Sequence, residues 1–128
     1  MPNAETVLIL LTAGKSDNGK NATLAFSCAL SALALGMETT VFLTGDGAVW
    51  GYLGSARGIT VQGFPPLDSL IRQFLEGGGN IQLCSVCHKT CSAGAPDEEP
   101  TTPMLPQVTI SGFTSMVEIA SRGACITF

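Results

Sequence analysis

A continuous apolar run near the start of the chain, Thr6-Val-Leu-Ile-Leu-Leu11, most constrains the fold. A strand with one face in water alternates apolar and polar residues, whereas a strand covered on both faces is apolar throughout. The run therefore predicts a buried strand of a parallel sheet. Two further segments predict strands of the same sheet, Thr39-Thr-Val-Phe-Leu-Thr44 and Ile81-Gln-Leu83, because β-branched and aromatic residues favour strands.

Helical segments separate these strands. Asn21 to Leu35 is apolar nearly all round, and Gly36 after it suits a helix end. Leu67 to Glu76 carries its apolar residues at helical spacing, and Thr114 to Arg122 predicts a last helix. Alternating strands and helices pair through right-handed crossovers. The sequence therefore predicts an α/β fold: a single-domain, three-layer α/β/α structure over residues 1–128 with a mostly parallel sheet of about five strands.

The other segments are shorter or irregular. Ile59-Thr-Val61 predicts a short third strand, Val108-Thr-Ile110 an extended piece, and Ala124 to Phe128 a terminal strand. Ala48 to Gly58 predicts a short helix or loop over the carboxyl edge of the sheet. Residues 92–107 hold four prolines and an acidic run, which predicts a loop that is either a lid beside the cysteines or a plain connection.

The composition limits the partners and the compartment. Charged residues make up 12% of the chain, against roughly 25% in a typical soluble domain, so further copies of the chain are expected to cover part of the surface. The net charge of −4 gives no electrostatic reason to expect nucleic acid or an anionic membrane. The start of the chain lacks a basic secretory region, and its longest apolar stretch is too short for a membrane span. A cytoplasmic location is predicted.

Three of the five cysteines and the only histidine lie within eight residues, at Cys84, Cys87, His88 and Cys91. In an open α/β sheet, reactive groups collect outside the carboxyl ends of the strands, where Cys84 is expected to lie. A helix that begins just after Cys84 would favour its thiolate, and His88 and Lys89 could add positive potential. A thiolate attacks sulfur donors, so Cys84 is a candidate nucleophile.

Other chemistry is compatible with the same segment. Cys84-x-x-Cys87 has a dithiol redox spacing, and with Cys91 and His88 there are enough soft ligands for zinc or an iron–sulfur cluster. The segment lacks a distant second pair of ligands, which makes it unusual for a metal site. Cys84-x-x-Cys87-His88 also matches a haem-attachment string, which needs an export context that the sequence does not show.

The remaining candidates are predicted to be structural. Cys28 in the first helix and Cys125 in the last strand are expected in the core, because free cysteine packs as a small apolar residue. Trp50 and Tyr52, the only residues of their types, are expected in the core or at an interface rather than in contact with a substrate.

The order and spacing of these segments resemble the DsrE/DsrF-like family, and especially its small YchN-type members. The resemblance rests on Val7-Leu-Ile-Leu, the apolar first helix, Val41-Phe-Leu-Thr-Gly-Asp-Gly47, Ile81-Gln-Leu-Cys84 and Ile126-Thr-Phe128. It implies a compact, flavodoxin-like α/β domain that assembles as trimers or hexamers. It also implies sulfur handling, in which a cysteine at the position of Cys84 carries a persulfide and passes the outer sulfur to a partner. Members with two cysteines usually continue into an Arg-Gly pair, whereas Cys91-Ser92 stands here.

Three hypotheses of different classes follow. The first is a cytoplasmic sulfur carrier or sulfurtransferase-like protein, in which Cys84 holds the persulfide and Cys87 resolves it or accepts its sulfur. His88 and Lys89 would stabilise negative charge, and no cofactor or metal would be needed. The second is a non-enzymatic thiol or metal-binding module for zinc or iron that uses Cys84, Cys87 and Cys91, with or without His88. The third is a structural subunit whose cysteines have no chemistry.

Overall fold

A computed structural model describes residues 6–90 and 103–128, apart from the side chains of residues 89 and 90. Five strands form one sheet: β1 (Thr6–Leu11), β2 (Glu38–Leu43), β3 (Asn80–Cys84), β4 (Val108–Ser111) and β5 (Ala124–Thr127). Four α-helices accompany them: α1 (Lys20–Ala34), α2 (Leu67–Glu76), α3 (Ser85–Thr90) and α4 (Phe113–Ala120). Short 3-10 helices span Lys15–Asp17 and Gly45–Gly51. The predicted α/β fold is confirmed.

The strands lie in the order β4-β3-β2-β1-β5, and every pairing is parallel. Among the described strands, β1, β2 and β3 are the ones with a neighbouring strand on both sides. Their central position explains why they are the apolar runs from which the sequence predicts strands. Parallel pairing brings the carboxyl ends of β1, β2 and β3 to one edge. The connections that leave this edge therefore lie side by side.

Helices cover both faces of the sheet. On one face α1 packs against α2, and the rings of Phe26 and Phe74 meet edge to face at 5.8 Å between centroids. The chain returns from β4 to β5 in the opposite direction, and a right-handed crossover then places α4 on the other face. There Phe113 lies 6.3 Å from Phe42 between centroids, and the Ser115 hydroxyl donates to Gln82 Oε1 at 3.2 Å.

The predicted strand at Ile59-Thr-Val61 is wrong. The segment is an irregular connection, and its Ile59 carbonyl accepts the Leu67 N–H at 2.9 Å at the start of α2. The physical reason is the strand order, since β3 pairs directly with β2 and leaves no gap for another strand. Ile59, Thr60 and Val61 are all β-branched and favour a strand, but none of the described strands pairs with them.

The prediction that Cys125 lies in the core is also wrong for this chain, because Cys125 is exposed. It lies on β5, which among the described strands pairs only with β1, and all four residues of β5 are exposed. Cys28 is half-buried and packs against the core. Trp50 is fully buried, as expected. Among the described helices none is long and apolar enough to cross a membrane.

Most of the predicted loop at 92–107 lies outside the described residues. Its described end packs on the segment that follows β2. The Leu53 N–H donates to the Pro103 carbonyl and the Leu105 N–H to the Gly51 carbonyl, both at 2.9 Å, and Tyr52 forms an isolated antiparallel bridge with Met104. These contacts hold the residues after β2 in place at the carboxyl edge.

Gly47 allows the 3-10 helix after β2 to pack on the end of β1. A Cβ at this position would overlap the Leu11 carbonyl and lie 3.3 Å from the Thr12 carbonyl carbon. We expect Gly47→Ala to lower the free energy of unfolding by about 1–3 kcal/mol, because backbone must move to relieve the overlap. Gly51→Ala in the same 3-10 helix is the control, since its Cβ would meet only side-chain methyl groups at 3.4 Å or more. Urea unfolding curves that coincide for the two variants would contradict this expectation.

Candidate functional site

Cys84 is the last residue of β3 and directly precedes α3. Its side chain is 1% exposed. The alternation of the strand buries Ile81 and Leu83 together, and Cys84 lies where β3 ends and the chain turns into the helix. The sulfur therefore lies at the carboxyl edge of the sheet, as the sequence predicts for Cys84.

Hydrogen bonds surround the Cys84 sulfur. The backbone N–H groups of Cys87 and Val86, in the first turn of α3, bond to it, as do the side chains of Thr44 and Cys87. Burial alone would raise the pKa of the Cys84 thiol, but these hydrogen bonds outweigh it and hold the pKa below its ordinary value. The environment therefore favours the thiolate, which is the nucleophilic form of cysteine.

Cys87 forms the second half of a two-sulfur site. Its side chain is 7% exposed, and the Gly45 N–H donates to its sulfur at 3.2 Å. The Thr44 hydroxyl lies 3.7 Å from the same sulfur, within hydrogen-bonding distance for sulfur, and also bonds to Cys84. Gly45 has φ +58°, a conformation that favours glycine and that aims its N–H into the site. Thr44 and Gly45 thus connect the two thiols to β2.

Sequence reasoning assigned no role to Thr44 or Gly45. They follow β2, whereas the cysteines follow β3, and the two strands are neighbours in the sheet. A signal was present in the turn sequence Gly45-Asp-Gly47 at the end of a buried strand. Combined with the rule that ligands gather at this edge, the turn could have pointed to the site.

His88 contacts the aromatic ring of Tyr52. The Tyr52 Oη lies 2.6 Å from His88 Nδ1, and the two rings stack with an angle of 9° between their planes and 5.9 Å between centroids. Tyr52 is 3% exposed, so its ring is buried as predicted, but it also contacts a candidate site residue. The expectation that Tyr52 lies in the core is confirmed, and the expectation that its ring does not touch a substrate stays a prediction.

Two other sequence candidates cannot be placed. The side chain of Lys89 and the whole of Cys91 lie outside the described residues. Among the residues that are described, no group of three His, Cys, Asp or Glu side chains converges to hold a metal. The metal-binding hypothesis needs Cys91, and it therefore stays a prediction.

Thr44 offers a direct check on the electrostatics of the site. Thr44→Val keeps the shape of the side chain and removes its hydroxyl, so we expect the pKa of Cys84 to rise. At a pH below the pKa of Cys84, Thr44→Val should hold a smaller fraction of the thiolate than wild type, so that its Cys84 is alkylated several-fold more slowly. At high pH the thiol is ionised in both proteins, and the alkylation rates of variant and wild type should converge. Peptide mapping after short iodoacetamide pulses at a series of pH values measures the change. Thr44→Ser keeps the hydroxyl and is the control; a Thr44→Val profile that stays on the wild-type curve would contradict the assignment.

The sequence matches the model of one known protein family. The match is to the DsrE/DsrF-like family and spans residues 6–128, which is nearly the whole chain and includes every element described above. A comparison with curated protein sequences gives no significant match.

A solved structure supports the same fold. The crystal structure of the YchN protein from E. coli matches with a TM-score of 0.70 over 97% of this chain and 99% of that chain, at 13% sequence identity. At this identity the likeness shows the fold alone. It confirms the three-layer arrangement around a parallel sheet that the sequence predicts.

Proposed function

Because the chain belongs to the DsrE/DsrF-like family, which is associated with sulfur relay, we propose that it is a sulfurtransferase-like carrier that holds a persulfide on Cys84. One observation carries the proposal: the buried Cys84 sulfur is hydrogen-bonded by two backbone N–H groups, a hydroxyl and a second thiol. Such an environment stabilises negative sulfur, which is what the attacking thiolate and the persulfide share.

The chemistry needs only thiol exchange. The Cys84 thiolate attacks the outer sulfur of a donor persulfide, R–S–SH; a new S–S bond forms on Cys84, the donor S–S bond breaks, and R–S⁻ leaves. The product is Cys84–S–SH. An acceptor thiolate then attacks the outer sulfur, takes it as its own persulfide, and releases the Cys84 thiolate. No external oxidant or reductant enters either step.

Cys87 has two possible roles in this scheme, and they give different products. As an acceptor, its thiolate attacks the outer sulfur, and the persulfide moves from Cys84 to Cys87. As a resolving thiol, it attacks the inner sulfur, forms a Cys84–Cys87 disulfide and expels HS⁻. The Gly45 N–H that donates to the Cys87 sulfur supports a thiolate there in either role. His88 and Lys89 are proposed to stabilise negative charge nearby.

We also propose that the carrier is a cytoplasmic trimer or hexamer. Several large apolar side chains are exposed on this chain, which suits burial against further copies: Leu35 at 74%, Val117 at 59%, Val86 at 57% and Phe113 at 52%. Cys28, Cys84, Cys87 and Cys125 are free thiols, which suits a reducing compartment. Light scattering on the purified protein measures the oligomeric state.

The first experiment loads the reduced protein with a small-molecule persulfide and follows its intact mass. We expect the mass of one sulfur atom to be added per chain, removed by reductant, and mapped to Cys84 by peptide fragmentation. Adding a thiol acceptor should move the sulfur to that acceptor. Metal content is measured on the same untreated sample.

The other outcomes favour the alternative hypotheses. Failure of several donors to load sulfur, together with metal bound near one atom per chain, would replace the carrier with a metal-binding module. If the protein neither loads sulfur nor contains metal, the structural-subunit hypothesis is favoured. A persulfide mapped to Cys87 first, with Cys84 never modified, would reverse the assigned roles of the two cysteines.

A further inference from the structure

A polar cavity lies beyond the carboxyl end of β1, and its lining includes neither Cys84 nor Cys87. Two connections form its walls: the 3-10 helix after β1, and the segment before α2 in which the sequence wrongly predicts a strand. The lining residues are Lys15, Asn18, Arg57, Gly58, Ile59 and Thr60. Its volume of about 340 Å³ falls within the range of roughly 300–1,000 Å³ that small-molecule sites occupy. The cavity is therefore large enough for a ligand of its own, separate from the sulfur site.

Backbone contacts hold the two walls of this cavity together. A Cβ on Gly19 would lie only 2.6 Å from Ile59 Cγ2, so the backbone of one wall packs directly on a side chain of the other. The Asn18 N–H donates to the Lys15 carbonyl at 2.9 Å, and the Ile59 carbonyl accepts the Leu67 N–H at the start of α2. The residues that line the cavity are thus carried on hydrogen-bonded turns, which lowers the entropy that a ligand must remove on binding.

Lys15 and Arg57 give the cavity a positive charge that carboxylates do not balance. Its lining has no acidic residue, and neither cation forms an ion pair within the part of the chain that the structure describes. Asp17, the acid nearest to Lys15 in sequence, uses its two carboxylate oxygens to accept the N–H groups of Gly19 and Asn21, at 3.0 and 2.9 Å. The chain has ten acidic and six basic residues, so two unbalanced cations at one cavity run against its overall charge.

The types of residue in the lining suit a phosphate or sulfonate group. Both groups are tetrahedral and present three outer oxygens, and the planar fork of Arg57 can bind two of them while Lys15 acts as a point charge. Asn18 and Thr60 add amide and hydroxyl donors. Both cations are exposed, so each alone attracts an anion weakly in salt solution, whereas one anion that meets both is held by their sum. Ile59 is half-buried and offers an apolar surface to the carbon part of a ligand.

We propose that this cavity binds a small molecule through a dianionic phosphate or sulfonate group. Arg57 and Lys15 bind the charged group, and Ile59 contacts the rest of the molecule. The proposal goes beyond the carrier function and does not rest on it, because the cavity uses neither cysteine. The same oxyanion chemistry occurs in organic phosphates and in sulfur oxyanions, and titration with one compound of each kind distinguishes them.

An NMR titration of wild-type protein tests the site first. The ¹⁵N-labelled protein is titrated with ribose 5-phosphate and with thiosulfate, near neutral pH and at a constant ionic strength of about 0.15 M. We expect the amide signals of Asn18, Gly58 and Thr60 to shift together and to saturate at millimolar ligand or below. Tighter binding of ribose 5-phosphate would identify an organic phosphate as the ligand class, and tighter binding of thiosulfate would identify a sulfur oxyanion.

Single substitutions then test which residues bind the anion. Lys15→Gln and Arg57→Gln should each raise the half-saturating concentration roughly tenfold, the effect of losing one hydrogen bond to a charged group. Arg57→Lys should raise it less, because the charge is kept and the planar fork is lost. Lys20→Gln is the matched control, since Lys20 is an exposed cation near the cavity that does not line it, and its half-saturating concentration should change by less than about twofold.

Several results would overturn the proposal. Shifts that do not saturate with either ligand, or that spread over the amides near all the basic residues, would do so without any variant having to fold. An equal loss of binding in Lys20→Gln and Lys15→Gln would show that net charge, and not the cavity, attracts the anion. Cys84→Ser cannot hold a persulfide but should bind the anion like wild type, so a failure of the carrier function leaves this test intact. Loss of anion binding in Cys84→Ser would place the anion at the sulfur site instead.

Discussion

Replacing Cys84 by serine is expected to reduce sulfur loading to background. A serine hydroxyl is not ionised near neutral pH and cannot form a persulfide, so the attack on a donor is lost rather than slowed. The fold should persist, because serine is a favoured residue at a helix N-cap and can accept the N–H groups that now bond to the sulfur. Intact mass and the yield of thiocyanate after cyanide treatment both measure the bound outer sulfur.

The other cysteines provide matched controls for this prediction. Cys125→Ser changes an exposed thiol on the edge strand, and Cys28→Ser changes a half-buried thiol on α1, so both should load like wild type. Cys87→Ser should still load on Cys84 but should form neither the internal disulfide nor HS⁻ by the resolving route. Full loading of Cys84→Ser, or loss of loading in Cys125→Ser, would show that the reactive thiol has been misassigned.

The local sequence pattern was sufficient to predict the elements whose own residues define their type. The apolar run of β1 and the amphipathic α2, which spans Leu67–Glu76 as predicted, are examples. Cys84 could also be placed, because it directly follows a buried strand and strand ends define one edge of a parallel sheet. These predictions needed no knowledge of which segments are neighbours in space.

The predictions that failed depend on such neighbours. Ile59-Thr-Val61 has the residue types of a strand, but β3 already occupies the place beside β2. Cys125 packs like an apolar residue when it is buried, but its strand β5 has one neighbour among the described strands and leaves it exposed. Thr44 and Tyr52 contact the site from a connection some 35 to 45 positions earlier in the chain, and single-sequence spacing does not reveal such contacts. The partners of the cysteines therefore had to come from the structure.

Replacing Trp50 by alanine is expected to have the largest effect on stability. Trp50 is 0% exposed, and its indole Nε1–H donates to the Ala13 carbonyl at 2.8 Å. Removing a buried aromatic side chain typically costs about 3–5 kcal/mol, against a total stability of about 5–15 kcal/mol for an ordinary domain. Because Trp50 is the only tryptophan, urea unfolding of the variant is followed by far-ultraviolet circular dichroism. Phe113→Ala is the aromatic control, and its cost should be well below that of Trp50→Ala because Phe113 is 52% exposed.

Trp50→Phe separates packing from the hydrogen bond. Phenylalanine keeps much of the buried ring but leaves the Ala13 carbonyl without its donor, which should cost about 1–3 kcal/mol. Ala13 follows β1, whereas Trp50 belongs to the 3-10 helix that begins at Gly45, so this bond joins two connections at the carboxyl edge. Its loss should weaken the hold on Gly45, whose N–H donates to Cys87. Alkylation of Cys87 should then slow even where the protein stays folded, because the thiolate loses a hydrogen-bond donor. If Trp50→Phe is destabilised but the alkylation rate of Cys87 is unchanged, Trp50 supports the core alone; if both change, the same side chain that stabilises the sheet edge also shapes the sulfur site.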